Sequence, residues 1–161
     1  MTTPADDIDR IMAIMQTAFD PAFGEAWSRR QVEDALLIGS CHYLLTDVAQ
    51  SPSDEHPATV GFCLSRHGFG EEELLLFAVA PEYRGKGLGR RMLARFAADA
   101  SARGAQRLLL EMRQGNPAES LYRHFGFAAV GKRRDYYRAP DGSRLDAITF
   151  AFDYQPQGEQ R

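Results

Sequence analysis

Three places in this chain collect residue types that can do chemistry: the loop Arg84-Gly85-Lys86-Gly87-Leu88-Gly89, the carboxylate Glu111 and the phenol Tyr122. The loop follows an apolar run, Leu74 to Pro81, and opens an amphipathic segment. A strand that turns through glycines into a helix gathers unpaired backbone N–H groups at one point. The helix dipole adds partial positive charge there, so such a turn suits a phosphate or pyrophosphate. Arg84 and Lys86 lie in the loop itself, where a phosphate gains from their charge. The spacing is not that of a Walker A loop, because Gly87 follows Lys86 where Ser or Thr is required. Nor is it a dinucleotide fingerprint, because the glycines run G-x-G-x-G in mid-chain. The plain alternative is a glycine turn that caps a surface helix.

Glu111 lies near the end of the strand-like segment Leu110-Glu111-Met112-Arg113, and Tyr122 sits in the helical block Leu121 to Phe127. If the strand after the loop helix runs beside the loop strand, the two meet near the reactive end of whatever the loop holds. A carboxylate and a phenol form a suitable pair for acyl transfer to an amine. The carboxylate takes a proton from the incoming ammonium, directly or through water, and the phenol gives one to the departing thiolate. An N-terminal α-amine suits this chemistry. With a pKa of about 7.7–8.0 it is roughly a tenth neutral at pH 7, a few hundredfold more than a lysine at about 10.4. Each residue also has a structural reading: Glu111 as an ion pair to a neighbouring arginine, Tyr122 as a helix core aromatic, and Asn116 as a turn or cap.

These groups need elements to hold them. Ile8, Ile11, Met12, Met15 and Phe19 recur at helical spacing, which predicts a helix over 6–19. Ser28 and Gln31 make a capping-box pattern that starts a second helix, running to Ile38. Strands are expected at 42–48, 58–66, 72–80 and 107–112, with a polar loop at 50–57. The glycine turn opens a helix with Leu88, Met92, Leu93, Phe96, Ala97 and Ala100 on one face, stopping at Gly104. A short helix over 117–125 ends at Gly126. Strands at 127–137 and 144–153 follow, joined by Pro140-Asp141-Gly142. The order describes an α/β domain on a mixed sheet, with residues 1–154 as the domain and 155–161 as a polar tail.

With 161 residues the chain is long enough for one domain with a proper core. A net charge of −3 gives no chain-wide pull toward nucleic acid or acidic membrane. Cys41 and Cys63 read as buried thiols of a reducing compartment, and neither they nor the four histidines have metal-ligand spacing. The acidic, polar start argues against a signal peptide, and no apolar run reaches membrane-spanning length, so a cytoplasmic location is expected.

The combination of Arg84-x-x-Gly87-x-Gly89, Leu110-Glu111-Met112-Arg113, the block from Asn116 to Phe127 and Arg133-Arg134-Asp135-Tyr136-Tyr137 resembles the GNAT superfamily of N-acetyltransferases. Within it, Ala26-Trp27-Ser28 and Asp141-Gly142 with Asp146-Ala147-Ile148 resemble the bacterial branch that acetylates a ribosomal-protein N-terminal alanine. The resemblance implies a single-domain fold with a mixed, mostly antiparallel central sheet flanked by helices. It implies acetyl-CoA as co-substrate, no metal, and direct transfer to a primary amine. The acceptor is a protein N-terminus or a small amine. A lysine or small-molecule acceptor is the alternative, and a non-catalytic acyl-CoA-binding module is the third reading. No nucleic-acid or membrane partner is implied, and the expected state is a monomer or weak homodimer. By position, Glu111 is implied as general base and Tyr122 as general acid. Phe77, Ala78 and Val79 would offer backbone to the pantetheine arm. Arg84, Gly85, Lys86, Gly87, Leu88 and Gly89 would hold the pyrophosphate, and Asn116 would contact the cofactor near its thiol end. Trp27, Arg134, Tyr136 and Tyr137 would border the acceptor pocket. Asn116 and Tyr122 stand six positions apart, one fewer than the branch leads one to expect.

Overall fold

The computed structural model describes residues 5–49, 51–53, 55 and 57–155. Its elements run α1 (Ala5–Ala18), α2 (Arg29–Leu37), β1 (Cys41–Val48), β2 (Ala58–Gly68), β3 (Glu71–Val79), α3 (Leu88–Ala102), β4 (Arg107–Arg113), α4 (Glu119–Phe125), β5 (Ala128–Arg138) and β6 (Arg144–Asp153). Each helix and strand expected from the sequence is present. Two short 3-10 turns, Pro21–Phe23 and Pro81–Tyr83, were not expected. Past residue 155 the expected tail lies outside the described residues, as does part of the loop 50–57.

The helices begin where local chemistry starts them. The Ser28 hydroxyl accepts the Gln31 N–H at 3.2 Å, and Gln31 Oε1 accepts the Ser28 N–H at 2.8 Å, which completes the capping box of α2. Trp27, just before the cap, packs in the same apolar cluster as Val32 in the first turn, as a hydrophobic staple does. In α3 the expected stripe is buried at Met92, Leu93, Phe96, Ala97 and Ala100.

Among the described residues the sheet has six strands in the order β1-β2-β3-β4-β6-β5, and only the β3–β4 pair is parallel. Helices α1 and α2 bring Ile11, Ile14, Met15 and Val32 onto one face, against Phe62, Leu64, Leu76 and Ala78. Helices α3 and α4 bring Met92, Leu93, Phe96 and Tyr122 onto the other, against Leu108, Leu110, Met112 and Phe150. Glu72 is fully buried on β3, where it accepts the Ser65 hydroxyl at 2.6 Å and the Arg103 guanidinium, whose Nε stands at 2.9 Å. Cys63 is buried as expected. Cys41 is only half-buried, because it begins an edge strand.

One irregularity shapes the molecule. Leu64 opposes Leu76 and Ser65 opposes Leu74, so Leu75 is the extra residue of a β-bulge on β3. A bulge bends its strand and re-aims the side chains that follow. Before it, Leu74 packs on the α3–α4 side. After it, Leu76 and Ala78 turn to the α1–α2 side, while Phe77 and Val79 pack on the α3–α4 side. The parallel ladder to β4 stops at the same point, with Leu74 opposite Leu110. Beyond it β3 continues to Val79 beside β2, and β4 to Arg113 beside β6, without pairing to each other, and the sheet splits.

Candidate active site

The split opens into a cleft of about 890 Å³ that reaches the glycine loop. The loop enters α3 through Gly87, which caps the helix at φ 79°, a left-handed conformation that side chains resist. No side chain caps this end, and the first N–H to bond back is that of Arg91, to Gly87 O at 3.2 Å. None of the backbone N–H groups of residues 85–90 has an acceptor among the described residues. Consecutive unpaired donors at a helix N-terminus form an anion cradle, so the chemistry of the loop fits a diphosphate. At Gly89 a Cβ would stand 3.3 Å from Leu121 and 3.8 Å from Phe77, so a side chain there would press on the cleft wall.

Arg84 does something other than the sequence suggests. Its Nε donates to Val79 O at 3.0 Å and a terminal nitrogen donates to Ala18 O at 2.8 Å. The side chain therefore ties the loop to the end of β3 and to α1. Lys86 lies over the Tyr83 ring at 5.4 Å. Arg84→Ala is expected to weaken acetyl-CoA binding about tenfold, or about 1.4 kcal/mol, by freeing the loop rather than by removing a phosphate contact. Calorimetry at two salt concentrations checks this, because a positioning role predicts the same loss at both.

The open edge of β3 has a definite polarity. Ala80 N–H bonds to Val60 O at 2.7 Å, so that opposed pair is a hydrogen-bonded one. Antiparallel ladders alternate, so the peptide groups of Ala78 bond to β2, while those of Phe77 and Val79 point toward the split. Of the three residues expected to offer backbone to the pantetheine arm, Phe77 and Val79 turn their peptide groups to the split and Ala78 turns its own to β2.

Tyr122 is buried on α4, edge-on to Phe77 and Phe127 at centroid distances of 6.0 and 5.9 Å, and it lines the cleft. Burial pushes its phenol well above its ordinary pKa of 10, with smaller contributions from Cys63 and Glu25. Asn116 also lines the cleft, but its Oδ1 accepts the Ala118 N–H at 2.9 Å, which makes it the turn residue that leads into α4. Glu111 projects from the other face of β4, since Leu110 and Met112 on either side of it are buried with α3 and α4. It is 3.3 Å from Arg133 and is not part of the cleft wall. The two expected catalytic groups therefore stand on opposite faces of the sheet, at the split.

The Glu111 face holds groups that sequence reasoning missed. Arg113 pairs with Glu25 at 2.9 Å, with side chains only 14% and 20% exposed, and its guanidinium lies 3.8 Å over the Phe23 ring. This clamp fastens the segment between α1 and α2 to the end of β4. Burial raises the Tyr137 phenol, and the charges of Glu111 and Glu25 raise it further. Tyr136 stands edge-on to Tyr137 at 5.1 Å and is half-exposed. Arg134 is exposed, and Trp27 packs in the α1–α2 cluster outside the cleft wall. Among the described residues no cluster of His, Cys, Asp and Glu has the makings of a metal site, and no helix is long and apolar enough to cross a membrane.

A split sheet with an anion cradle at the helix that follows the bulged strand defines a class of protein. Residues 42–129 match the Acetyltransferase (GNAT) domain family, and the chain belongs to that family of acetyl-CoA-dependent N-acetyltransferases. More particularly, it is 34% identical over 97 residues to the [ribosomal protein bS18]-alanine N-acetyltransferase of Haemophilus influenzae, which covers 60% of this chain and 66% of that one. The match thus spans just under two thirds of that relative's length. A Bacillus subtilis relative provisionally given the same activity is 31% identical over 134 residues, 82% of each chain. The crystal structure of the ribosomal-protein-S18-alanine N-acetyltransferase from Escherichia coli superposes with a TM-score of 0.78 at 30% identity, over 100% of this chain and 96% of that one.

Proposed function

We propose that this chain acetylates the α-amine of a protein N-terminus, with an alanine of a ribosomal protein as acceptor. The observation that carries the reading is the run of unpaired N–H groups at residues 85–90, set at a sheet split with the Tyr122 phenol on its wall. Bound acetyl-CoA supplies an activated acyl thioester. The loop amides hold its diphosphate, and the outward N–H of Val79 is aimed where a thioester oxygen gains charge, a role worth several kcal/mol in acyl transfer. Tyr122 donates a proton to the departing thiolate. Glu111 accepts one from the acceptor ammonium, directly or through water. The part of the cleft lined by Glu25 and Arg113 receives the first acceptor residue, with Tyr137, Arg134 and Tyr136 bordering it. The acceptor's identity rests on the names of the relatives, and the same reading assigns the chain to the cytoplasm, in keeping with its free thiols.

The test is thiol release from acetyl-CoA with a panel of amines. An alanine-led ribosomal-protein peptide is expected to turn over, and Glu111→Gln to lower its kcat/KM by about 10²- to 10³-fold. Inert N-terminal peptides beside a reactive lysine or polyamine would remove the proposed acceptor.

A further inference from the structure

The hairpin of β5 and β6 borders the proposed acceptor side, because Arg133 of β5 stands 3.3 Å from Glu111 and Thr149 of β6 lies opposite Glu111 on the ladder. Strand β5 is an edge of the sheet, and its residues 128–136 are all exposed. Five cations stand on this hairpin (Lys132, Arg133, Arg134, Arg138 and Arg144) against four carboxylates, one of which, Asp153, is taken by Arg107 of β4, in a chain whose net charge is −3. Two of those carboxylates are occupied within the hairpin. Asp141 accepts the Ser143 N–H at 2.9 Å and its hydroxyl at 2.6 Å, and Asp146 accepts the Asp135 N–H at 3.0 Å while pairing with Lys132 at 3.7 Å. Arg133 is paired with Glu111. Arg134, Arg138 and Arg144 have no ion-pair partner among the described residues.

Arg138 and Arg144 are, moreover, direct partners across the ladder. Like charges placed opposite each other destabilise a hairpin, so this pair carries a cost that an anion between them would relieve. Beside them Tyr136 is 51% exposed, with the Arg133 guanidinium 5.4 Å over its ring. Arginine forks take phosphates in bidentate fashion, and an exposed aromatic among cations on an open strand stacks an unpaired base. An acidic peptide would satisfy the arginines and leave the aromatic face unused.

We infer that the β5–β6 hairpin docks single-stranded RNA beside the acceptor pocket. The inference rests on the proposed function and deepens it: the acceptor N-terminus is presented next to RNA. The slightly acidic whole chain hides a local site of opposite sign.

Fluorescence anisotropy with a labelled single-stranded RNA oligonucleotide tests this, while turnover of a short alanine-led peptide by the same samples tests the proposed function independently. The wild type is expected to bind the RNA with an affinity that falls steeply with salt. Arg138→Glu and Arg144→Glu are each expected to weaken binding about tenfold and to lower the salt slope by about one, with peptide turnover unchanged. Either substitution turns a repulsive cross-strand pair into an attractive one, so the melting temperature holds or rises and lost affinity is not lost fold. Wild-type RNA affinity in both variants, or tighter binding of polyglutamate than of RNA, overturns the inference, and peptide turnover then still decides the proposed function by itself.

Discussion

Tyr122→Phe is expected to slow acetyl transfer by about 10²- to 10³-fold at saturating substrates, with acetyl-CoA affinity changed by no more than about twofold. The expectation follows from how the phenol is held. Its ring packs between Phe77 and Phe127, and phenylalanine keeps those contacts. Its hydroxyl bonds to no protein group among the described residues, and no fully buried side-chain oxygen there lacks a partner, so the hydroxyl opens on the cleft. Deleting it orphans nothing, and the usual stability cost of a lost hydrogen bond does not arise. Burial also keeps the phenol protonated far above neutral pH, so the donor stays loaded and no alkaline loss of rate is expected from it up to about pH 10. Thiol release and calorimetry on the same variant separate the two readings. A Phe variant with wild-type kcat would make Tyr122 a core aromatic and leave the departing thiolate to another donor.

Under the proposed mechanism, the placement of Glu111 and Tyr122 on opposite faces of the sheet gives the split its purpose. Two groups on one face of a continuous sheet could flank a surface ligand, but groups on opposite faces can address the same bond only where the sheet is open. The Leu75 bulge supplies that opening, and it does so without a glycine or proline to announce it. Leu74-Leu75-Leu76 presents three like residues, so no alternation reveals which is the extra one. The elements themselves were legible because their signals are local: the Ser28–Gln31 box, the α3 stripe, and the order of segments that makes β3 and β4 parallel neighbours. What stayed hidden was long-range. Arg84 finds a carbonyl 66 residues away, and Arg113 a carboxylate 88 residues away, and neither pairing leaves a periodic trace. Glu25, next to the Ala26-Trp27-Ser28 segment already tied to the family, was the one missed residue within reach of sequence reasoning.

Arg103→Ala is expected to destabilise the fold by about 3–5 kcal/mol at pH 7, and by less at pH 4. Glu72 is fully buried, and burial alone would raise its carboxyl. The hydrogen bonds from Arg103 and Ser65 outweigh that and hold it below its ordinary value. In the wild type, then, the folded-state value lies below the unfolded one. The stability this group contributes is complete above about pH 4.3 and is lost as the pH falls through the depressed folded value. Without the guanidinium the balance tips to burial, the folded value moves above the unfolded one, and the sign inverts. The buried carboxyl is then tolerated when protonated and penalised as the pH climbs past about 4.3. Urea denaturation of wild type and variant should therefore give a gap that widens from pH 4 to pH 7. A gap of constant size would mean that Arg103 acts through the packing of its stem and not through the charge of Glu72. Because Glu72 sits on β3 just ahead of the bulge, the same experiment asks whether an ion pair outside the cleft anchors the strand whose far end lines it.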